Sequence, residues 1–75
     1  MKYNLKIGKS RYANKNLADC IDIIAARYTE ISAACLTPPS WILFEIVNMP
    51  ANVLRLAYHD KNEKVFISIN RRGRK

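Results

Sequence analysis

The strongest constraint on the fold is the alternation of large apolar residues with smaller or polar ones in two neighbouring segments near the end of the sequence. Residues 53–59 and 64–70 each place a large apolar side chain at every second position. This period is typical of strands with one buried face, and the four residues between the segments suit a tight turn. With His59 opposite Lys64, the apolar residues of both strands share one face. We therefore predict an antiparallel hairpin.

A third strand is predicted over residues 41–47, WILFEIV, joined to residues 53–59 by a short link. If Val47 pairs with Val53, every second residue of the third strand, from 42 to 46, falls on the apolar face of the hairpin. This agreement between two independent pairings predicts a three-stranded antiparallel meander.

The first half of the chain is predicted to supply one strand and one helix. Residues 2–7 alternate like a half-buried strand, and residues 8–15 have the composition of a polar loop. Residues 16–36 repeat apolar side chains every three or four positions, with Asn16 as the N-cap. Thr37-Pro38-Pro39 ends the helix, because a residue before proline avoids helical geometry.

The predicted fold is therefore α+β, and the predicted order is βαβββ within a single domain covering residues 1–75. An antiparallel sheet combines the three-stranded meander with the N-terminal strand, and one amphipathic helix packs on one face. One helix leaves the other face open, where we expect Trp41, Arg55 and Phe66 to lie. Exposed apolar surface of this kind commonly marks a binding site. Arg55 has two interpretations on that face: an ion pair with Glu45, or a guanidinium that binds phosphate or carboxylate.

The net charge of +7 is concentrated at the two ends of the chain. Residues 1–15 hold five basic residues and no acidic ones, and residues 71–75 hold four more basic residues, whereas residues 16–70 hold four basic and six acidic ones. If the N-terminal strand lies beside the last strand, the basic ends form one patch, and if it lies beside residues 41–47, they stay apart. The basic residues concerned are Lys2, Lys6, Lys64, Arg71 and Arg72. Residues 73–75 are predicted to be a frayed tail.

Several classes of protein receive no support from the sequence. The chain lacks a signal-peptide pattern and any apolar run near the ~20 residues that span a bilayer, so we expect a soluble cytoplasmic protein with no membrane partner. Cys20 and Cys35 lie about 22 Å apart on the predicted helix and cannot pair with each other. A single histidine and these two cysteines do not make a metal site, and no cofactor-binding motif occurs. We expect a binding protein rather than an enzyme, with no cofactor.

Two kinds of partner fit an open face with a basic rim. The first is nucleic acid, RNA or DNA, with Trp41 and Phe66 stacking on bases and the basic residues contacting phosphates. The second is a protein with an acidic surface, such as a nucleic-acid-handling enzyme. The chain would then be an inhibitor of the kind that phages and mobile elements encode, acting in the host cytoplasm. A homodimer formed through the open sheet face is also compatible with the pattern.

The stretch VLRLAYHDKNEKVFISINRRGRK, residues 53–75, resembles the C-terminal hairpin of RelE/ParE-superfamily toxins. In that family, a strand with an arginine and tyrosines is followed by a short acidic turn and by a β-branched strand that runs into a basic cluster. The resemblance implies an mRNA-cleaving toxin of a toxin–antitoxin pair. Its site would comprise Arg55, His59, Arg71 and Arg72. It covers about a third of the chain, and the sequence departs from the family in having one predicted helix rather than a helical hairpin and no C-terminal helix.

Overall fold

The predicted α+β class is confirmed in a computed structural model, which describes residues 2–50 and 52–72. The predicted tail at 73–75 lies outside the described residues. The sheet contains four strands, β1 (Tyr3–Ile7), β2 (Ser10–Lys15), β3 (Arg55–His59) and β4 (Val65–Arg71). Three helices connect β2 to β3: α1 (Leu17–Ala26), α2 (Tyr28–Ala34) and α3 (Pro39–Val47). The order of elements is ββαααββ.

The strands form one antiparallel sheet in the order β2-β1-β4-β3. The N-terminal strand therefore lies beside the last strand, with Tyr3 opposite Arg71 and Ile7 opposite Ile67. Beyond the strand ends, the N–H of Arg72 donates to the carbonyl oxygen of Lys2 at 2.8 Å. Of the two positions that the sequence left open, the structure adopts the one that joins the two basic ends.

The predicted hairpin is present, but its pairing differs by two residues from the predicted register. Tyr58 lies opposite Ile67 rather than Val65, and Leu56 lies opposite Ile69. A two-residue shift preserves the faces, so the apolar residues remain together as expected. The pairing of the two strands also has an irregularity between Tyr58 and His59. As a result, His59 lies opposite Val65 rather than Lys64.

Residues 41–47 are helical, and the prediction of a strand there is wrong. Pro39 occupies the first turn of α3, where its missing N–H is not needed. Ile42 and Ile46, four residues apart, are fully buried on the inner side of the helix. A continuous apolar run carries little periodic signal, so the choice between helix and strand depends on tertiary packing. The predicted meander is therefore replaced by β3 and β4 with β1 beside them.

The predicted helix at 16–36 is divided into α1 and α2. Its N-cap is confirmed, since the side-chain oxygen of Asn16 accepts from the N–H of Asp19 at 2.8 Å. The division falls at Arg27, whose N–H is shared between the carbonyl oxygens of Ile23 and Ile24, both at 3.2 Å. The Arg27 guanidinium is anchored at this point by an ion pair with Glu30 at 2.7 Å.

Residues 10–15, expected to be part of a loop, form the edge strand β2. Gly8 has a φ of +57° and occupies the first position of the two-residue turn that joins β1 to β2. Glycine is suited to this conformation, which L-residues with side chains rarely adopt. The hairpin places Lys6 opposite Arg11.

The core lies between one face of the sheet and the three helices. The sheet contributes buried side chains from β1, β3 and β4: Tyr3, Leu5, Ile7, Tyr58, Ile67 and Ile69. The helices contribute Cys20, Ile24, Ile31, Ile42 and Ile46. None of the helices in the described part of the chain has the length and apolar character needed to cross a membrane. Within residues 2–50 and 52–72, the helices pack on one face of the sheet and leave the opposite face open.

Candidate functional site

The open face of the sheet carries two transverse rows of polar and basic side chains. The register of β2, β1, β4 and β3 aligns the first row as Arg11, Lys6, Ser68 and Ala57. The second row comprises Asn4, Asn70 and Arg55. Strands lie about 4.8 Å apart, and residues of one face repeat about every 6.7 Å along a strand. The face is therefore a regular grid of hydrogen-bonding and cationic groups.

Acidic residues are segregated away from this grid. The four strands contain no aspartate or glutamate in their described residues. Four of the six acidic residues of the chain lie in the helices, and Asp60 and Glu63 lie in the turn between β3 and β4. Asp60 is engaged there, because its Oδ1 accepts from the N–H groups of Asn62 and Lys64 at 2.8 and 3.0 Å. The positive charge of the open face is not neutralised by carboxylates within the strands.

Lys6 and Arg11 lie directly opposite each other on β1 and β2. Like charges in directly opposite positions of an antiparallel pair are destabilising. A nearby anion would remove that penalty, so this pair is the part of the face best suited to a bound phosphate. A local arrangement that disfavours folding is typical of functional sites.

A concavity of about 350 Å³ opens on the face around this pair. Its lining combines Leu5, Tyr12 and Ala13 with five polar or basic residues: Asn4, Lys6, Arg11, Ser68 and Asn70. The strand pairing is irregular beside the concavity, because two residues of β2, Ala13 and Asn14, lie opposite Asn4 in a bulge between Tyr3 and Leu5. Asn14 adopts a φ of +60°, and its N–H donates to Oδ1 of Asn4 at 3.2 Å. Bulges bend the strand that carries them, and Asn4 and Ala13 of this bulge both line the concavity.

The other end of the face is less polar. Phe66 is half-buried there, and its ring lies 3.5 Å from the position that a Cβ on Gly8 would occupy. Gly8 also donates its N–H to the carbonyl oxygen of Phe66 at 2.8 Å. The Phe66 ring is therefore partly covered by the turn between β1 and β2 and offers only part of its surface to a ligand.

The structure brings together several of the residues that the sequence singled out. Lys6, Arg55 and Phe66 lie on the open face, and Lys2 is adjacent to Arg72 at one end of the sheet. The guanidinium of Arg72 reaches Asn4 of the second row, with Nη1 at 3.5 Å from Oδ1. Lys64 lies farther away, between the turn and the first residue of β4, and is exposed.

Arg71 is directed to the opposite side of the sheet from Arg72. Its guanidinium carbon lies 5.9 Å from the centre of the Tyr3 ring, a core residue, and Nη2 lies 3.5 Å from the carbonyl oxygen of Pro50. Because side chains alternate along a strand, two consecutive arginines cannot serve one face of a sheet. Arg71 therefore has a packing role at the helix-covered face, and Arg72 belongs to the open one.

Trp41 does not lie on the sheet, which corrects its predicted position. It projects from α3, where its Nε1 donates to Oε2 of Glu45 at 3.1 Å. The other oxygen of that carboxylate accepts from the hydroxyl of Tyr58 at 2.8 Å. Glu45 is thus engaged on the helix side, and Arg55 lies opposite Asn70 rather than Glu45. The interpretation of Arg55 as an ion-pair partner of Glu45 is wrong, because the predicted strand that would have placed them together is a helix.

The residues that the toxin resemblance suggests are spread over the molecule. Arg55 and Arg72 are on the open side, His59 is exposed at the end of β3, and Arg71 contacts Tyr3 on the other side. The structure does not gather these four side chains at one point.

Two residues of the site, Asn4 and Arg11, were not identified from the sequence. Arg11 was assigned to a loop because SRYANK contains only one large apolar residue, Tyr12, and edge strands need little apolar surface. The available signal was Gly8-Lys9 directly after a strand pattern, a dipeptide that suits a two-residue hairpin turn.

Comparison of the chain with protein-family models, with curated proteins and with solved structures found no match.

Proposed function

We propose that this chain binds single-stranded nucleic acid across the open face of its sheet, mainly through the phosphate backbone. The observation that carries the proposal is the pair of like charges, Lys6 and Arg11, at a concavity with several polar side chains in its lining. The strands of this face contain no acidic residues. Phosphates would replace the unfavourable contact between two cations with favourable contacts to both, and they would release counterions from the polymer.

The neutral groups of the concavity support a phosphate or sugar ligand. Asn4, Ser68 and Asn70 offer amide and hydroxyl donors between the cations. Such side chains commonly hydrogen-bond the phosphates and sugars of nucleic acids, which orients the polymer without reading its sequence. With Trp41 on the helical side and Phe66 partly covered, stacking on bases contributes less than the sequence suggested. We therefore expect binding with little preference for base sequence.

A single strand fits the surface better than a duplex. The four strands make a face only about 14 Å wide, measured between the outer strands, and the helices lie on the other side. The major groove of a duplex is read by a protruding helix or ribbon, whereas sheet surfaces commonly bind extended single strands.

The proposal is tested by the affinity for labelled single-stranded oligonucleotides of about 12 nucleotides, measured by fluorescence anisotropy at low salt. Arg11→Ala and Lys6→Ala should each weaken binding roughly five- to tenfold, because each removes a charge-assisted phosphate contact. Lys61→Ala is the matched control, since Lys61 is exposed in the turn between β3 and β4 and its loss lowers the net charge equally. We expect less than about a twofold change for the control.

Two results would contradict the proposal. Wild-type protein with no measurable affinity at low salt would remove nucleic acid as the partner. Equal losses in Arg11→Ala and Lys61→Ala would show that binding depends on net charge alone and not on the open face. Circular dichroism of each variant establishes that the fold is retained.

A further inference from the structure

The helical side of the molecule carries an exposed apolar stripe on α3. Trp41, Phe44 and Val47 are 55%, 59% and 57% exposed, although the helix buries Ile42 and Ile46 completely on its inner side. Successive members of the stripe are three residues apart, and residues at this spacing are neighbours on a helix surface. The three side chains therefore lie on one outer side of the nine-residue helix. Three large apolar side chains in succession on one exposed surface are typical of an interface.

The Trp41 indole is held in position within the chain. Its N–H donates to Glu45, whose other oxygen is held by the buried Tyr58, and its ring lies 5.8 Å from the ring of Phe44. The polar atoms at the stripe are thus satisfied internally, and the surface left exposed is apolar. Side chains already ordered in this way lose little entropy on binding, which favours association.

We propose that this surface binds a second copy of the chain, with the two α3 helices antiparallel about a two-fold axis. The stripe is symmetric in its spacing around Phe44, with Trp41 three residues before and Val47 three residues after. In an antiparallel pair, Phe44 of each copy meets at the axis, and Trp41 of one copy faces Val47 of the other. The largest side chain of the stripe then packs on the smallest. This contact occurs twice, once on each side of the axis, as in any two-fold interface.

The charge distribution favours α3 over the sheet as the surface at which two copies meet. Each chain has a net charge of +7, and the basic residues of the sheet would repel one another if two open faces met. Helix α3 contains no basic residue, and its one carboxylate, Glu45, is engaged by Trp41 and Tyr58. The stripe is therefore a surface at which two copies can meet without opposing their basic groups.

The exposed aromatic area is below that of a standard interface, so we expect the dimer to be weak. Aromatic side chains bury about 150–250 Å² each, so the exposed parts of Trp41 and Phe44 provide roughly 500 Å² over two copies. A standard interface buries about 1,600 Å² in total, and Val47 and the rim of α3 would supply part of the remainder. We expect half-assembly at roughly 10–100 µM chain.

The dimer would differ from the homodimer predicted through the open sheet face. Association through α3 leaves both basic faces directed outward on opposite sides of the assembly. Two faces on one particle can engage two segments of a nucleic acid at once, which would raise the apparent affinity for long strands. The dimer itself does not depend on the proposed nucleic-acid binding and extends beyond it.

The experiment is sedimentation equilibrium over a concentration series, combined with the emission of Trp41, the only tryptophan of the chain. We expect reversible dimerisation, a blue shift of the emission with concentration as the indole is buried, and tighter association at higher salt as the like net charges are screened. Phe44→Lys should raise the dimer dissociation constant at least ~30-fold, because it places a charge at the axis. Val65→Lys, which adds the same charge to an exposed apolar position on β4, should leave the constant nearly unchanged.

The proposal is overturned if the wild-type chain stays monomeric to about 1 mM, roughly tenfold above the upper end of the expected half-assembly range. It is also overturned if a dimer forms but persists in Phe44→Lys, which would place the interface elsewhere. Circular dichroism and urea unfolding of Phe44→Lys separate loss of the interface from loss of the fold, and Trp41→Ala provides a second disruptive variant on the stripe.

Discussion

The hydrogen bond between Tyr58 and Glu45 joins the core to the exposed end of α3, and its removal is a quantitative test of the structure. Tyr58 is only 6% exposed, and its hydroxyl donates to Glu45 Oε1 at 2.8 Å. A hydrogen bond to a charged group contributes about 1.5–3 kcal/mol. Because Glu45 is only partly buried and water can replace the lost donor, we expect Tyr58→Phe to lower the free energy of unfolding by about 1.5 kcal/mol.

The assay is urea unfolding followed by far-UV circular dichroism, together with thermal melting. For a domain of this size, a loss of about 1.5 kcal/mol corresponds to a decrease in Tm of roughly 6–12 °C. Tyr28→Phe is the matched control, since Tyr28 is 45% exposed and its variant should change the stability by less than about 0.5 kcal/mol. A double-mutant cycle with Glu45→Ala should give a coupling energy near 1 kcal/mol.

The same contact predicts how stability depends on pH. Burial, and then the hydrogen bond to Glu45, raise the pKa of Tyr58 above its usual value of 10.0. The folded state therefore retains this proton where the unfolded chain releases it. The contribution of Tyr58 is fully present below pH 10 and is lost above it, by up to about 1.4 kcal/mol per pH unit. In Tyr58→Phe, the free energy of unfolding should not show this decrease above pH 10. The reasoning is refuted if the effects of Tyr58→Phe and Glu45→Ala are additive and the pH dependence of the variant equals that of the wild type.

Three further predictions separate features that lie close together in the sequence. Arg72→Ala should weaken oligonucleotide binding several-fold with little effect on Tm, whereas Arg71→Ala should lower Tm and leave binding nearly unchanged. Similar effects of the two variants on binding would contradict the assignment of the two arginines to opposite faces. Cys20 and Cys35 should react with a disulfide reagent far more slowly in the native protein at pH 8 than in urea, because burial raises the pKa of both thiols; rapid native labelling would show that the core is open. Single-stranded RNA should remain intact on incubation with the protein, as analysed by gel electrophoresis, and cleavage that Arg55→Ala abolishes would instead favour the toxin alternative.

The hairpin of β3 and β4 could be predicted because its pattern is local. The alternation of Leu56 and Tyr58 against Ile67 and Ile69 identifies both strands and their buried face. The exact pairing was missed by two residues, because a shift of two leaves every side chain on its own face. The turn geometry decides between such registers, and Glu63 with a φ of +64° lies within that turn.

The segment 41–47 was assigned incorrectly because its local and tertiary preferences disagree. Ile42 and Ile46 pack into the core at helical spacing, while Trp41, Phe44 and Val47 are apolar but exposed. A helix that is apolar on all sides shows no amphipathic period, so the sequence favoured a strand. The exposed apolar residues that obscured the period are the same ones that form the proposed dimer surface. Functional surfaces are where sequence patterns tend to fail.

The candidate site was only partly predictable for a similar reason. Lys6 and Arg55 were recognised, since they fall at polar positions of clear strands. Arg11 and Asn4 required β2 to be recognised as a strand, and their proximity to Asn70 requires the pairing of β1 with β4. That adjacency joins residues more than sixty positions apart, and no local pattern specifies it.

The measurement that tests the central claim most directly is the salt dependence of single-strand affinity. The open side presents up to five cations, Lys2, Lys6, Arg11, Arg55 and Arg72, and each phosphate contact contributes about −0.7 to the slope of log K against log salt. We predict a slope of about −3 and a loss of affinity of roughly 60-fold between about 50 and 200 mM salt, with the slope reduced by about 1.4 in the Lys6→Ala/Arg11→Ala double variant. A flat salt response, or a slope that the double variant leaves unchanged, would contradict the account.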